Sequence, residues 1–364
     1  MRVVMFYHSL VSDWNHGNAH FLRGVVSELL AQGHDVAVYE PADAWSLRQL
    51  LSERGPSAIE AFRDAYPELR STPYLLDELD LPRALDGADL VLVHEWNATE
   101  LVQRIGDERR RQRSFRLLFH DTHHRAVSAP HELPVAALRD YDGVLAFGRV
   151  LAETYQQRSW AERVWVWHEA ADTRLFQPLP EVEPEADLIW IGNWGDGERC
   201  RELQEFLLGP IRELGLRATL HGVRYPEDAL AAVAGSGARY RGFLPNFDAP
   251  RAFARHRVTI HVPRRYYSEV LPGIPTIRVF EALACGIPLL CAPWLDSEGL
   301  FTPGRDYLVA DDGASMTQLV CDVLADRELA RSLAEHGRRS IEARHTCRHR
   351  VDELLEIYSE LEGT

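Results

Sequence analysis

The chain has 364 residues, 46% of them hydrophobic, with 40 Lys and Arg against 55 Asp and Glu and a formal net charge of −15. That length exceeds one ordinary core and predicts two domains of similar size. The negative balance opposes capture of a phosphate polymer by long-range attraction, and no apolar run approaches the roughly 18 to 20 residues of a membrane helix.

Met1 to Tyr7 is too short for a signal peptide and reads as a core strand, with the cytoplasm as the expected location. The strand over 2–8 leads into a polar loop, Ser9 to Asn18, and then a helix over 20–32 that Gly33 and His34 close. Further strands are predicted at 35–40, 89–94, 114–120, 143–147 and 164–167, each ending in a polar or glycine-containing loop. Residues 57–82 read as an insertion of short helices with no legible role. The basic run Arg109 to Arg113 reads as the solvated end of a helix begun near Asn97.

Pro178 to Glu185, rich in proline and acid, is the best linker candidate. It divides an expected domain 1–177 from a second over 178–345, with 346–364 a closing helix that packs back toward the first. The second series has strands at 187–191, 217–221, 258–262 and 287–291, then helices over 314–325, 328–343 and 348–362. Short apolar strands alternating with amphipathic helices predict the α/β class, as two Rossmann-like, doubly wound parallel sheets. Ligands bind beyond the carboxyl ends of such strands, so functional residues are expected on loops facing a cleft between the domains. Cys200, Cys285, Cys291, Cys321 and Cys347 lack C-x-x-C spacing, which argues against disulfides and a zinc site.

The run from Pro272 to Leu290 carries the most chemistry. Its prolines stiffen a loop, Gly273 admits close backbone approach, and free N–H groups from Thr276 onward would point at an anion. Glu281 follows on the helix, where a carboxylate can accept from ribose hydroxyls, and Gly286 ends that helix. Arg278, three residues earlier, can reinforce anion binding or simply pair with Glu281. In the loop 191–199, Asn193 and Arg199 are set against a diphosphate, Arg199 by a bidentate contact; Arg224 sits in a loop that could frame a nucleobase. Gly17 and Asn18, before the first helix, are the expected approach point for donor sugar or acceptor. His120, His123 and His124 are weak evidence for a metal, and none is expected. His120, at a strand tip, is placed to donate a hydrogen bond to substrate; a packed histidine is the alternative.

These residues form a pattern. The chain resembles the nucleotide-sugar glycosyltransferases of GT-B fold, the glycosyl transferases group 1 superfamily, and within it the spore-maturation-type branch. The resemblance rests on Gly33 to Val36, Asp89 to His94, His168 to Pro178 and Phe280 to Pro288, in that order. It implies that Glu281 binds the ribose, that Thr276, Ile277 and Arg278 face the diphosphate, and that Arg199 serves the phosphates. It also places His120 near the donor sugar as the catalytic residue. The family's first glutamate is replaced by Gly273, with Glu269 nearby as a substitute.

The expected function is transfer of a sugar from a UDP-, GDP- or dTDP-linked donor to an unidentified glycan, lipid-linked or small-molecule acceptor. No cofactor, metal or nucleic acid is expected, and the resemblance implies retention of anomeric configuration. Two rivals are a sugar-nucleotide epimerase of the same fold and a non-catalytic nucleotide-sugar-binding subunit, the latter motivated by Gly273.

Overall fold

The structure, a computed structural model, describes residues 1–195 and 197–363, so Asp196 of the 191–199 loop and Thr364 lie outside the described residues. It has two compact units, one formed by Met1–Glu169 with the segment from Cys347 onward, the other by Ala170–Thr346. No described helix is long and apolar enough to cross a membrane.

The first unit is built on seven parallel strands: β1 (Arg2–Phe6), β2 (Asp35–Pro41), β3 (Thr72–Tyr74), β4 (Leu90–His94), β5 (Arg116–Asp121), β6 (Gly143–Ala146) and β7 (Val164–Val166). Their order is β3-β2-β1-β4-β5-β6-β7. Continuous apolar runs suit strands covered on both faces, and β4 is buried along its whole length. The second unit has β8 (Ala186–Ile191), β9 (Ala218–His221), β10 (Arg239–Tyr240), β11 (His256–His261), β12 (Leu289–Cys291) and β13 (Leu308–Val309), ordered β10-β9-β8-β11-β12-β13. Both sheets therefore share the 3-2-1-4-5-6 order, and each has a switch point: β1/β4 in the first, β8/β11 in the second. The GT-B architecture of two doubly wound α/β units is present.

The predicted elements appear with ends shifted by a few residues. The first strand stops at Phe6, freeing Tyr7 and His8 for the loop, and the next helix spans Ala19–Ala31. Three strands escaped the pattern because β3, β10 and β13 are only two or three residues long, at or beside sheet edges. The basic run is not wholly solvated, because Arg109 forks onto both oxygens of Asp142 at 3.0 and 2.8 Å.

The insertion acquires a role through Arg23, which is fully buried on the first helix. Its Nε donates to the Leu10 carbonyl at 2.8 Å, Nη2 to the Val11 carbonyl at 2.8 Å, and Nη1 to Asp13 at 3.3 Å. The rings of Phe62 and Tyr66, from the insertion, cover the guanidinium at 4.9 and 5.3 Å. Glu40 accepts from the amides of Leu10 and Val11, so the long loop after β1 is fixed from both sides. The closing helix Cys347–Glu362 belongs to the same unit, where the Trp167 indole donates to the Arg350 carbonyl at 2.8 Å.

Removing one partner of a buried charge cluster costs roughly 3 to 5 kcal/mol. Arg23→Ala should therefore lower the urea midpoint of the first unit by an amount equivalent to about 3 kcal/mol or more. Arg23→Lys should recover only part of it, since an ammonium lacks the fork that reaches three acceptors; full recovery by lysine would show that charge alone matters.

Candidate functional site

At the β8/β11 switch point, Arg199 is buried beneath its loop. Its Nη1 donates to the Val262 carbonyl at 2.9 Å and Nη2 to the Asn193 carbonyl at 2.7 Å, joining the loops after β11 and β8. The guanidinium also lies 5.1 Å over the Trp190 ring. Burial, helped by the nearby charge of Arg264, brings its pKa down to about 10, so it stays cationic at neutral pH. Gly195, at φ +97, leaves room for this side chain, since a Cβ there would stand 2.8 Å from Arg199 Cγ. Asn193 fastens the neighbouring loop by accepting from the Val223 amide at 3.2 Å, whereas Arg224 is exposed.

Helix Ile277–Cys285 begins at the same strand ends, with Thr276 in the N-cap position and Gly286, at φ +67, closing it. Thr276 Oγ1 is 3.1 Å from His261 Nε2. Burial, together with the Arg199 charge, lowers the His261 pKa to about 3, so the imidazole is neutral. Glu281 is completely buried; its Oε1 accepts from Asn246 Nδ2 at 2.8 Å and its Oε2 pairs with Arg278. Arg264, held by Glu198 at 2.9 Å, and Arg278 both act electrostatically on Arg199. Three guanidinium groups, a helix N-terminus and a buried carboxylate thus share one end of the second sheet, a set suited to an anion with an attached diol.

Gly273 is buried at φ +93, and a Cβ there would stand 2.1 Å from Ser297 Oγ. Ser297 fills the space a glutamate side chain would need to leave the backbone. Glu269 is exposed on the turn Tyr266–Val270. Asn246 and His261 were not among the residues singled out from sequence, although each follows or ends an apolar run, the position where strand-end chemistry collects.

In the first unit the ends of β1, β4 and β5 gather histidines. His120 is completely buried, with its ring 4.7 Å from Trp167 and 5.4 Å from His94, and neither ring nitrogen has a hydrogen-bond partner. Burial lowers its pKa to about 3, leaving a neutral ring with one N–H to give. His94 Nε2 lies 3.0 Å from Thr122 Oγ1, and Asn18 Nδ2 donates to the same oxygen at 2.5 Å, so Asn18 is brought to this cluster with Gly17 beside it. His124 is buried with Nδ1 2.8 Å from Ser128 Oγ, and is not the loop-surface residue its position suggests. No group of three potential ligands that could hold a metal occurs among the described residues.

Beneath the histidines lie two buried carboxyls. Arg125 bonds Glu95 Oε2 through Nε at 3.0 Å and Nη2 at 2.7 Å, while Tyr155 donates to Asp121 at 2.7 Å. Burial pushes both acids upward, and for Glu95 the Asp121 charge adds to it. Glu95, Asp121 and Arg125 also went unnoticed in the sequence, since their pairing spans some thirty positions.

Burial likewise depresses His8, to about 4, and His16 and His94 well below the ordinary value. In an unfolded chain these imidazoles and His120 take up protons near pH ~6.5. Below that pH the unfolded state binds more protons, so stability falls as pH drops from ~6.5 toward the folded values. The raised Glu40, Glu95 and Asp121 act in the opposite sense, three carboxyls against the four imidazoles His8, His16, His94 and His120. Between about pH 6.5 and pH 5 the imidazoles should therefore pull thermal melting of the first unit down, and Glu40→Gln, which removes one opposing carboxyl, should steepen that fall; a pH dependence unchanged in the variant would show that Glu40 does not oppose these rings.

Among known families, residues 201–356, which take in much of the second unit and the start of the closing helix, match the one described as glycosyl transferase-like. No curated protein sequence matches the chain. Among solved structures, sucrose-phosphate synthase from Thermosynechococcus elongatus is similar over 100% of this chain and 99% of its own, at 15% identity and a TM-score of 0.66. Anabaena HepE in complex with UDP and glucose is similar over 99% and 100%, at 13% identity and a TM-score of 0.68. An α-glucosyltransferase in complex with UDP covers the same shares, at 13% identity and a TM-score of 0.73. At such identities the structural likeness carries the fold alone: the chain has the GT-B fold, and its residues 201–356 match the glycosyl transferase-like family.

Proposed function

We propose that the protein transfers a sugar from a uridine diphosphate sugar to an acceptor hydroxyl, with the second unit binding the nucleotide. Glu281 carries this reading. A fully buried carboxylate at a strand-end helix start is costly unless it is paired, and Arg278 and Asn246 supply partners that also orient it. Such an oriented acid suits the two ribose hydroxyls, and Arg264, Arg278 and the Thr276 helix start suit the diphosphate. Arg199 contributes its charge through the loops that it staples. UDP stands in the HepE and α-glucosyltransferase complexes of the same fold, which supports uridine as the base.

In the reaction, the bond from the anomeric carbon to the β-phosphate oxygen breaks, and its electron pair stays on the leaving UDP. The acceptor oxygen forms the new bond to that carbon, and its proton passes to the departing β-phosphate oxygen. Charge growing on the diphosphate is met by the guanidiniums and helix amides, which need no reorganisation when fixed beforehand. His120, neutral and with an N–H to give, serves as a hydrogen-bond donor to the sugar and not as a cationic acid.

Calorimetric titration with UDP tests the nucleotide assignment. Glu281→Gln keeps an acceptor for Asn246 but loses the charge, and should weaken UDP by about tenfold or more; an unchanged Kd would remove Glu281 from the site. His120→Ala should leave UDP affinity intact and slow UDP release from UDP-glucose, water acting as acceptor, by about a hundredfold. Full activity would make His120 a packing residue, and conversion of the sugar while still attached to UDP would identify an epimerase instead.

A further inference from the structure

The strand-end rim of the first unit carries a feature the nucleotide chemistry does not use. Two indoles are held open to solvent there: Trp96, 38% exposed, directly after β4, and Trp45, 40% exposed, at the start of helix Trp45–Arg54. Neither is a loose surface ring. The Arg125 guanidinium sits 4.1 Å over the Trp96 ring and is itself locked by the buried Glu95 through its carboxylate and, at 2.6 Å, its carbonyl. Trp45 stands edge-on against Trp14 at 4.9 Å, and the Trp14 indole donates to Glu53 at 2.7 Å.

Between the two lie imidazoles. His16, on the same turn as Trp14, contacts His8 at 5.3 Å; His8 reaches Trp96 at 6.0 Å, and Trp96 meets His123 at 5.0 Å. His16 is 8% exposed and its Nε2 has no hydrogen-bond partner. A buried nitrogen without a partner is costly, and a ligand hydroxyl would relieve that cost. Burial keeps His8 and His16 uncharged at neutral pH.

We propose that this rim, Trp45, Trp14, His16, His8, Trp96 and His123, is a saccharide-binding surface and that the acceptor is a neutral oligosaccharide. The reading rests on the transferase function proposed above. A pyranose offers weakly polarised C–H groups on its faces, which match the negative face of an indole, and hydroxyls at its edges, which match neutral ring nitrogens. An anionic polymer finds little here, because Arg125 already commits Nε and Nη2 to Glu95 and the chain carries −15 overall. An acyl chain or an apolar peptide face would need a continuous greasy groove, whereas these indoles are separated by polar rings.

Saturation-transfer NMR on the intact protein tests the proposal, with maltotriose, cellotriose and chitotriose as probes and UDP calorimetry on the same samples. Saturation should reach at least one trisaccharide. Trp96→Ala and Trp45→Ala should each weaken that signal by about fivefold, and Trp96→Phe, which keeps an aromatic face, should restore most of it. UDP affinity should stay within about twofold of wild type in all three variants. UDP binding with no transfer to any trisaccharide would overturn the saccharide surface while leaving the proposed function standing. Loss of UDP binding in the wild type would instead overturn the function. Full saccharide signal in both alanine variants, or binding of a duplex oligonucleotide that the Trp96 change abolishes, would also overturn the proposal.

Discussion

Where two neighbouring parallel strands send their chains to opposite sheet faces, the carbonyls just past their ends lose ladder partners, and a buried carbonyl must still be satisfied. This protein meets that constraint twice with a single side chain. In the first unit Asn97 Nδ2 donates to the Phe6 carbonyl at 2.7 Å and the His94 carbonyl at 2.8 Å, tying β1 to β4. In the second, Arg199 does the same for the loops after β8 and β11. The residues near both sites inherit their positions from these ties. His94 and His8 flank the first; His261, Arg264 and Thr276 flank the second.

The two ties differ in charge, and that difference runs through each unit. An amide satisfies carbonyls without bringing a net charge, and around it the first unit keeps His8, His16, His94 and His120 neutral and binds the Arg125 guanidinium to Glu95. A guanidinium satisfies carbonyls and remains cationic, and around it the second unit places Arg264 and Arg278. Like charges repel, so such a group persists only with counter-charges: Glu198 for Arg264 and Glu281 for Arg278. An anionic ligand would complete that balance.

The sequence made the long strands legible because each is an apolar run ending in a polar residue. The strand-end positions of Glu281 and His120 were legible for a related reason, since each stands one short step from such a run. Arg23 was not, because nothing in a helix pattern announces that a guanidinium will turn inward toward three acceptors and two aromatic rings. Glu95, Asp121 and Arg125 were hidden for the same cause: their chemistry exists only once β4 and β5 lie side by side, His94 opposite His120. Asn246 lies 35 positions from the carboxylate it orients.

Gly273 shows how a missing residue can be structural and not a loss. A side chain there would meet Ser297, whose hydroxyl donates to the Pro272 carbonyl at 3.3 Å, so this loop is closed by a serine where the related pattern has an acid. At φ +93 the backbone itself favours glycine, so restoring a glutamate would cost strain as well as displacing Ser297. The consequence is selective. On the proposed function, ribose and diphosphate contacts would reside on Glu281, Arg278 and the helix start, none of which involves position 273, and any contact to the sugar hydroxyls would come from other groups. On that reading nucleotide recognition and sugar recognition would be separable in this chain, the first set by a helix start and its cations, the second released from the acid that would fix it in the related pattern.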